Sequence, residues 1–120
     1  MTKIIHVPIE NHILDTYEFK YFADYFRKSY ENFMNVSTKE VKYNIYTLDE
    51  QIERYAKNLT FWYLQLDKLL NSKSHRNKIM KMKFIKSQID RIMNATINIF
   101  PDGISDLINE KAINMKLIYS

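Results

Sequence analysis

The stretch Thr47–Asn71, TLDEQIERYAKNLTFWYLQLDKLLN, decides the fold. Its apolar positions Leu48, Ile52, Tyr55, Leu59, Trp62, Leu66 and Leu69 are spaced alternately by four and three residues. That repeat keeps one apolar stripe on one side of an α-helix for three heptads. Thr47 and Glu50 frame its start as a capping box: the hydroxyl accepts from the amide three residues on, and the carboxylate reaches back to the cap's own amide. The spacing predicts a helix over 48–71.

Toward the C-terminus, Met82, Ile85, Ile89, Ile92 with Met93, Thr96, and Ile99 with Phe100 form a second stripe of helical period, which Pro101-Asp102-Gly103 brings to an end. The connection Asn71-Ser72-Lys73-Ser74 is short, so the two helices, about 48–71 and 75–100, are expected to lie antiparallel as a hairpin. Beyond Gly103, the positions Ile104, Leu107, Ile108, Ala112 and Met115 predict a last helix of about three turns.

Toward the N-terminus, Asp15-Thr-Tyr-Glu18 and Ser37-Thr-Lys-Glu40 repeat the capping-box pattern and predict helix starts near 16 and 38. Two segments read either way. Residues 3–9 suit an extended arm or edge strand, and Val41, Tyr43 and Ile45 alternate with polar neighbours as a half-buried strand would. The Ser37 box favours helix for 41–46, and a lone strand there has no obvious partner. The chain is thus expected to be an all-α bundle of four to five helices, with residues 1–120 forming a single domain.

Composition bounds the function. At 120 residues, 46% hydrophobic and 27% charged, the chain has enough apolar material for one core. The lack of cysteine excludes disulfides, thiolate metal sites and cysteine nucleophiles. With one glycine, against about eight in an average chain of this length, glycine-rich phosphate loops are also excluded. No run approaches the ~18 apolar residues of a membrane span, and residues 1–14 are too polar for a signal peptide; a cytoplasmic protein that avoids membranes is expected. His6, His12 and His75 are never paired at metal-ligand spacing. Walker, dinucleotide, Gly-x-Ser-x-Gly and His-Glu-x-x-His patterns are absent, as is the Arg-x-x-x-x-His signature of one helical ribonuclease family. The expectation is a protein that is not an enzyme and carries no cofactor or metal.

The net charge of +4 is unevenly spread. Residues 1–67 carry eight basic and ten acidic side chains, residues 68–91 eight and one, and residues 92–120 two and three. Within the basic segment, Lys73, Arg76, Lys78 and Lys81 crowd the N-terminal end of the fourth helix. They add to the positive end of its dipole, a candidate patch for an anion or a second partner. The alternative is a solvated, solubilising face. The segment has only Phe84 as an aromatic and lacks finger, RNP or helix-turn-helix signatures, which argues against nucleic acid.

The first helix offers the sharper candidate. Projected at 100° per residue, Phe19, Phe22, Phe26, Tyr30 and Phe33 share one arc, and Tyr17, Tyr21 and Tyr25 lie almost opposite, beside Glu18, Asp24 and Lys28. The phenylalanine side is the natural core side. The tyrosines are then either covered by the N-terminal arm or the last helix, or presented to a protein partner. Tyrosine supplies stiff contact area with a polar tip, and the acidic neighbours would select a basic partner. Tyr17, Glu18, Tyr21, Asp24, Tyr25 and Lys28 are the candidate binding residues.

A small, cysteine-free, motif-free helical chain rich in Ile, Lys, Asn and Tyr is similar in size and layout to the helical immunity proteins of bacterial contact-dependent growth inhibition systems. That resemblance implies a cytoplasmic protein, monomeric before complex formation. It would bind a delivered toxin domain, nucleases included, and block its active site or substrate groove. The alternative is a small phage or plasmid nucleic-acid-binding or accessory protein using residues 68–91.

Overall fold

The computed structural model describes residues 3–5, 20–38, 45–73 and 77–119. Four helices account for most of these: α1 (Lys20–Met34), α2 (Leu48–Asn71), α3 (Lys78–Ile99) and α4 (Ile104–Tyr119). The architecture is the expected all-α bundle. Two three-residue strands, β1 (Lys3–Ile5) and β2 (Ile45–Thr47), pair antiparallel with Lys3 opposite Thr47 and Ile5 opposite Ile45. This corrects the reading that the Ser37 box favours helix for 41–46: Ile45 and Tyr46 are strand, and the partner that is not obvious in the sequence is Lys3–Ile5. Each segment supplies the other's ladder, a pairing across some forty residues that no local pattern announces. Residues 6–9 and 41–44, the rest of those ambiguous segments, lie outside the described residues.

Local chemistry sets the helix ends. The capping box at Thr47 is formed: Glu50 N–H donates to Thr47 Oγ1 at 3.2 Å, and Thr47 N–H donates to Glu50 Oε1 at 3.1 Å. α1 ends where Asn35 takes a left-handed conformation (φ 57°) and Val36 N–H returns to Glu31 O at 3.1 Å, the bond that closes a helix whose last carbonyls would otherwise be orphaned. Thr38 N–H donates to Glu31 Oε2 at 2.7 Å; the remainder of the helix expected from Ser37, like the start expected near 16, falls outside the described residues. α3 starts at Lys78, because Asn77 is also left-handed (φ 57°). Gly103, at φ +87°, makes the turn into α4 in a conformation that side chains disfavour. α4 runs 16 residues rather than about three turns.

α2 is the central element. Lys78 meets Ser72, Phe84 meets Trp62 and Phe100 meets Tyr55, so α3 runs back along α2 as the expected antiparallel hairpin. α1 does the same on another side: Phe26 packs on Trp62, while Phe33 packs on Phe61 and receives Lys57 over its ring. Of the predicted stripe, Ile52, Tyr55, Leu59, Trp62 and Leu69 are buried and Leu48 and Leu66 half-buried against the core; Gln51, Ala56, Asn58, Thr60 and Phe61 are buried as well. A helix enclosed on several sides is apolar beyond one stripe. Trp62 anchors an aromatic cluster, 5.6–5.7 Å from Tyr30, Phe26 and Phe84, with Phe26 and Phe84 stacked 5.7 Å apart. Each such pair adds about 1 kcal/mol beyond area burial. Gln51 Oε1, Asn58 Oδ1 and Trp62 Nε1 are buried in this helix without a hydrogen-bond partner among the described residues.

α4 packs on α2 through small residues. Ala56 and Ala112 are fully buried, and Thr60 Oγ1 donates to Ala56 O at 2.7 Å and lies 3.3 Å from Ala112 O. Around this close approach, Lys111–Glu53 (2.6 Å) and Lys116–Asp67 (2.9 Å) pair across the two helices, and Tyr63 donates to Asn109.

Candidate functional site

The two faces of α1 separate as their periodicity predicts. Phe22 (7% exposed), Phe26 (3%) and Tyr30 are core, whereas Tyr21 is 65% and Tyr25 50% exposed. Each tyrosine ring lies edge-on to the phenylalanine that follows it, Tyr21–Phe22 at 5.2 Å and Tyr25–Phe26 at 4.9 Å. The buried rings thus fix the stance of the exposed ones. Lys28 and Asp24 are exposed beside them, and Asp24 stands 3.5 Å from Arg27 Nη2. Arg27 also donates to Thr38 Oγ1 at 2.9 Å, bracing the turn after α1. Tyr17 and Glu18 lie outside the described residues.

The basic segment is arranged differently from a single anion patch. Lys78 Nζ donates to Ser72 O at 2.9 Å, closing the carbonyl end of α2, where positive charge is favourable. Lys81, expected on the surface, is only 5% exposed, with its ammonium 3.8 Å from the centroid of the Tyr25 ring. Two of the four candidate cations therefore turn inward, Lys73 is exposed, and Arg76 lies outside the described residues. The reason is rotational: Lys81 lies on the same arc of α3 as Phe84, Ile85, Gln88 and Ile92, all buried. Its methylenes pack there while its charge meets an aromatic face. The spacing of Lys81 to Ile85 and Gln88 carried that signal, which the count of cations obscured.

Lys81 also joins two features that look separate in the sequence, the tyrosine face and the basic helix. Next to Tyr25 a small cleft of about 110 Å³ opens between α1 and α2, lined by Tyr25, Phe26, Gln65, Lys68 and Leu69. Its floor is apolar, since Phe26 and Leu69 are buried, and Lys68 is exposed. No protein family, curated protein or solved structure matches the chain.

Other exposed features are a shallow groove on α3, lined by Ile79, Met82, Lys83, Lys86, Ser87 and Asp90, and the outer side of α4, with Leu117 and Ile118 in solvent. Among the described residues, no group of three or more His, Cys, Asp or Glu side chains could hold a metal ion, and no helix is long and apolar enough to cross a membrane. Three groups among the described residues are shifted from their ordinary pKa. Burial raises Tyr63. Burial lowers Arg91, with Tyr30 opposing it. The hydrogen bond that Lys111 donates to Glu53 raises Lys111. None of the three belongs to the tyrosine face.

Proposed function

We propose that the chain is an inhibitor of the immunity type, which binds a toxin domain stoichiometrically and blocks it by covering its active site or substrate groove. One observation carries this reading: Tyr21 and Tyr25 are exposed on the helix whose Phe22, Phe26 and Tyr30 build the core. Exposed aromatic side chains on a rigid element are the usual anchors of protein interfaces. Rings already held by buried neighbours lose little freedom on binding. Inhibition by occlusion requires no catalytic group on the inhibitor, only a stable surface of fixed shape. The cytoplasm is where such a protein would meet an incoming toxin domain.

The test is co-expression with the product of the neighbouring gene, which this reading expects to be the toxin domain. The chain should restore growth and form a complex that survives gel filtration, and Tyr21→Ala with Tyr25→Ala should lose both while keeping a helical circular dichroism spectrum. Protection that survives the double substitution, or a neighbouring gene that encodes no toxin domain, overturns the reading.

A second reading, a nucleic-acid-binding protein, draws on the exposed tyrosines lying beside the basic helix, since aromatic platforms next to lysines bind single strands. It predicts retention on heparin that collapses between low and moderate salt.

A further inference from the structure

We infer that Lys81 is a positioning residue of the α1 surface: from α3, without meeting the partner itself, it holds the Tyr25 ring in the one stance that α1 presents. The inference rests on the proposed reading of α1 as the partner face and concerns how that face is kept ready to bind.

The placement of the charge calls for a reason. Lys81 closes the first turn of α3, where its N–H donates to Asn77 O at 2.9 Å, and the residue is 5% exposed. A buried ammonium loses hydration, and at a helix N-terminus it also meets the positive end of the dipole. A methionine would fill the same position, on the buried arc of Phe84, Ile85 and Gln88, without either cost. Among the contacts that only the cation makes there is the face of Tyr25, 3.8 Å from the ring centroid, an attraction that strengthens as the cation is desolvated. Lys81 also has a further partner of its own in the fold. Its charge is committed inside the protein, so its effect on a visiting molecule passes through Tyr25.

Geometry makes that passage direct. Phe26 and Phe84 stack 5.7 Å apart with their planes within 3°, which fixes α1 against α3 in the core. Tyr25 precedes Phe26, and Lys81 lies one turn before Phe84, so the same contact continues from the buried stack to the half-exposed ring. Tyr25 is then held from two elements, edge-on by Phe26 of its own helix at 4.9 Å and over its face by Lys81 of another. Tyr21 is the internal comparison. It has the equivalent edge contact, with Phe22 at 5.2 Å, but among the described residues no cation stands over its ring. A ring fixed beforehand loses less freedom on binding, which makes Tyr25 the pre-set anchor and Tyr21 the adjustable one.

The test compares wild type with Lys81→Met, which keeps the stem and removes the charge, and Lys81→Arg, which keeps a cation able to stack on the ring. Three-bond Hα–Hβ couplings read the χ1 rotamers of both tyrosines in the free protein. Tyr25 should hold one rotamer in wild type and in Lys81→Arg and average over several in Lys81→Met, with Tyr21 unchanged throughout. For the product of the neighbouring gene, Lys81→Met should weaken the complex about fivefold, the change expected when one side chain must be ordered on binding, and Lys81→Arg should restore it. In a Tyr25→Ala background, Lys81→Met should have no further effect. A Tyr25 rotamer indifferent to Lys81→Met, a binding loss that persists undiminished in the Tyr25→Ala background, or one that Lys81→Arg does not recover overturns the inference. Should Lys81→Met fail to fold, wild type alone still decides: Tyr25 couplings averaged like those of a free side chain overturn it. A complex indifferent to Tyr21→Ala with Tyr25→Ala overturns the inhibitor reading instead, and the couplings of the free protein then decide whether Lys81 fixes the ring.

Discussion

Tyr21→Ala and Phe26→Ala, five residues apart on opposite faces of α1, should differ about fourfold in their effect on folding. An aromatic side chain presents about 200 Å², and Tyr21 is 65% exposed, so folding removes only about 70 Å² of it from water. At ~25 cal/mol per Å² that is at most about 1.8 kcal/mol. Alanine retains part of this and recovers roughly 0.5 kcal/mol of helix propensity, leaving a loss of about 1 kcal/mol. Phe26, 3% exposed and in contact with both Trp62 and Phe84, leaves a cavity in the aromatic cluster when truncated; such a loss is about 4 kcal/mol. For a chain of this size, thermal midpoints should fall by roughly 4 °C and 15 °C respectively. Circular dichroism melts measure both. In binding the order inverts: Tyr21→Ala should weaken the partner complex by about 2 kcal/mol, roughly thirtyfold, although it barely disturbs the fold. If Tyr21→Ala lowers the midpoint as far as Phe26→Ala, the tyrosine face is part of the core and the separation of the two faces is wrong.

Lys81→Glu places a carboxylate where an ammonium is buried against Tyr25 and should cost about 3 kcal/mol or more; Lys73→Glu, at an exposed position, should stay within about 0.5 kcal/mol, both read from urea midpoints. Gly103→Ala has room for its Cβ but must hold φ near +87°, so its cost of about 1 kcal/mol should come from backbone conformation alone, and Gly103→Asn should recover part of it. The Lys111–Glu53 pair raises the lysine's pKa in the folded state. Its contribution is therefore fully present below the ordinary lysine pKa and is lost as pH rises through the folded-state value. Wild type and Lys111→Met should differ at neutral pH and converge in strongly alkaline solution, and also in high salt.

The central hairpin was legible because its signals are local. The Thr47–Glu50 box, the seam from Leu48 to Leu69 and the Pro101–Gly103 break each act within a few residues, and each produced the boundary it implies. What stayed hidden depends on contacts between distant segments. The pairing of Lys3–Ile5 with Ile45–Thr47 joins two runs that are each ambiguous alone. The close packing of α4 rests on Ala112 meeting Ala56 and Thr60; Ala112 stands on the predicted apolar stripe, but no local pattern pairs it with those two positions of α2. The site shows the same division. The opposition of Phe22 and Phe26 to Tyr21 and Tyr25 follows from rotation about one helix axis, and the structure exposes the two described tyrosines. The inward turn of Lys81 was available from the same rotation on α3, but treating residues 68–91 as a block of charge concealed it. The cleft at Lys68 was beyond reach, because it exists only where the C-terminal turns of α2 lie beside α1.

Titration calorimetry of the proposed partner, the product of the neighbouring gene, with wild type and with Tyr21→Ala, Tyr25→Ala bears most directly on the claim that α1 presents a binding surface its own fold does not use. The account predicts a one-to-one complex that the double substitution weakens by at least about a hundredfold, in a protein still helical and cooperatively folded. An unchanged affinity, or a loss of affinity that merely follows a loss of helix, would contradict it.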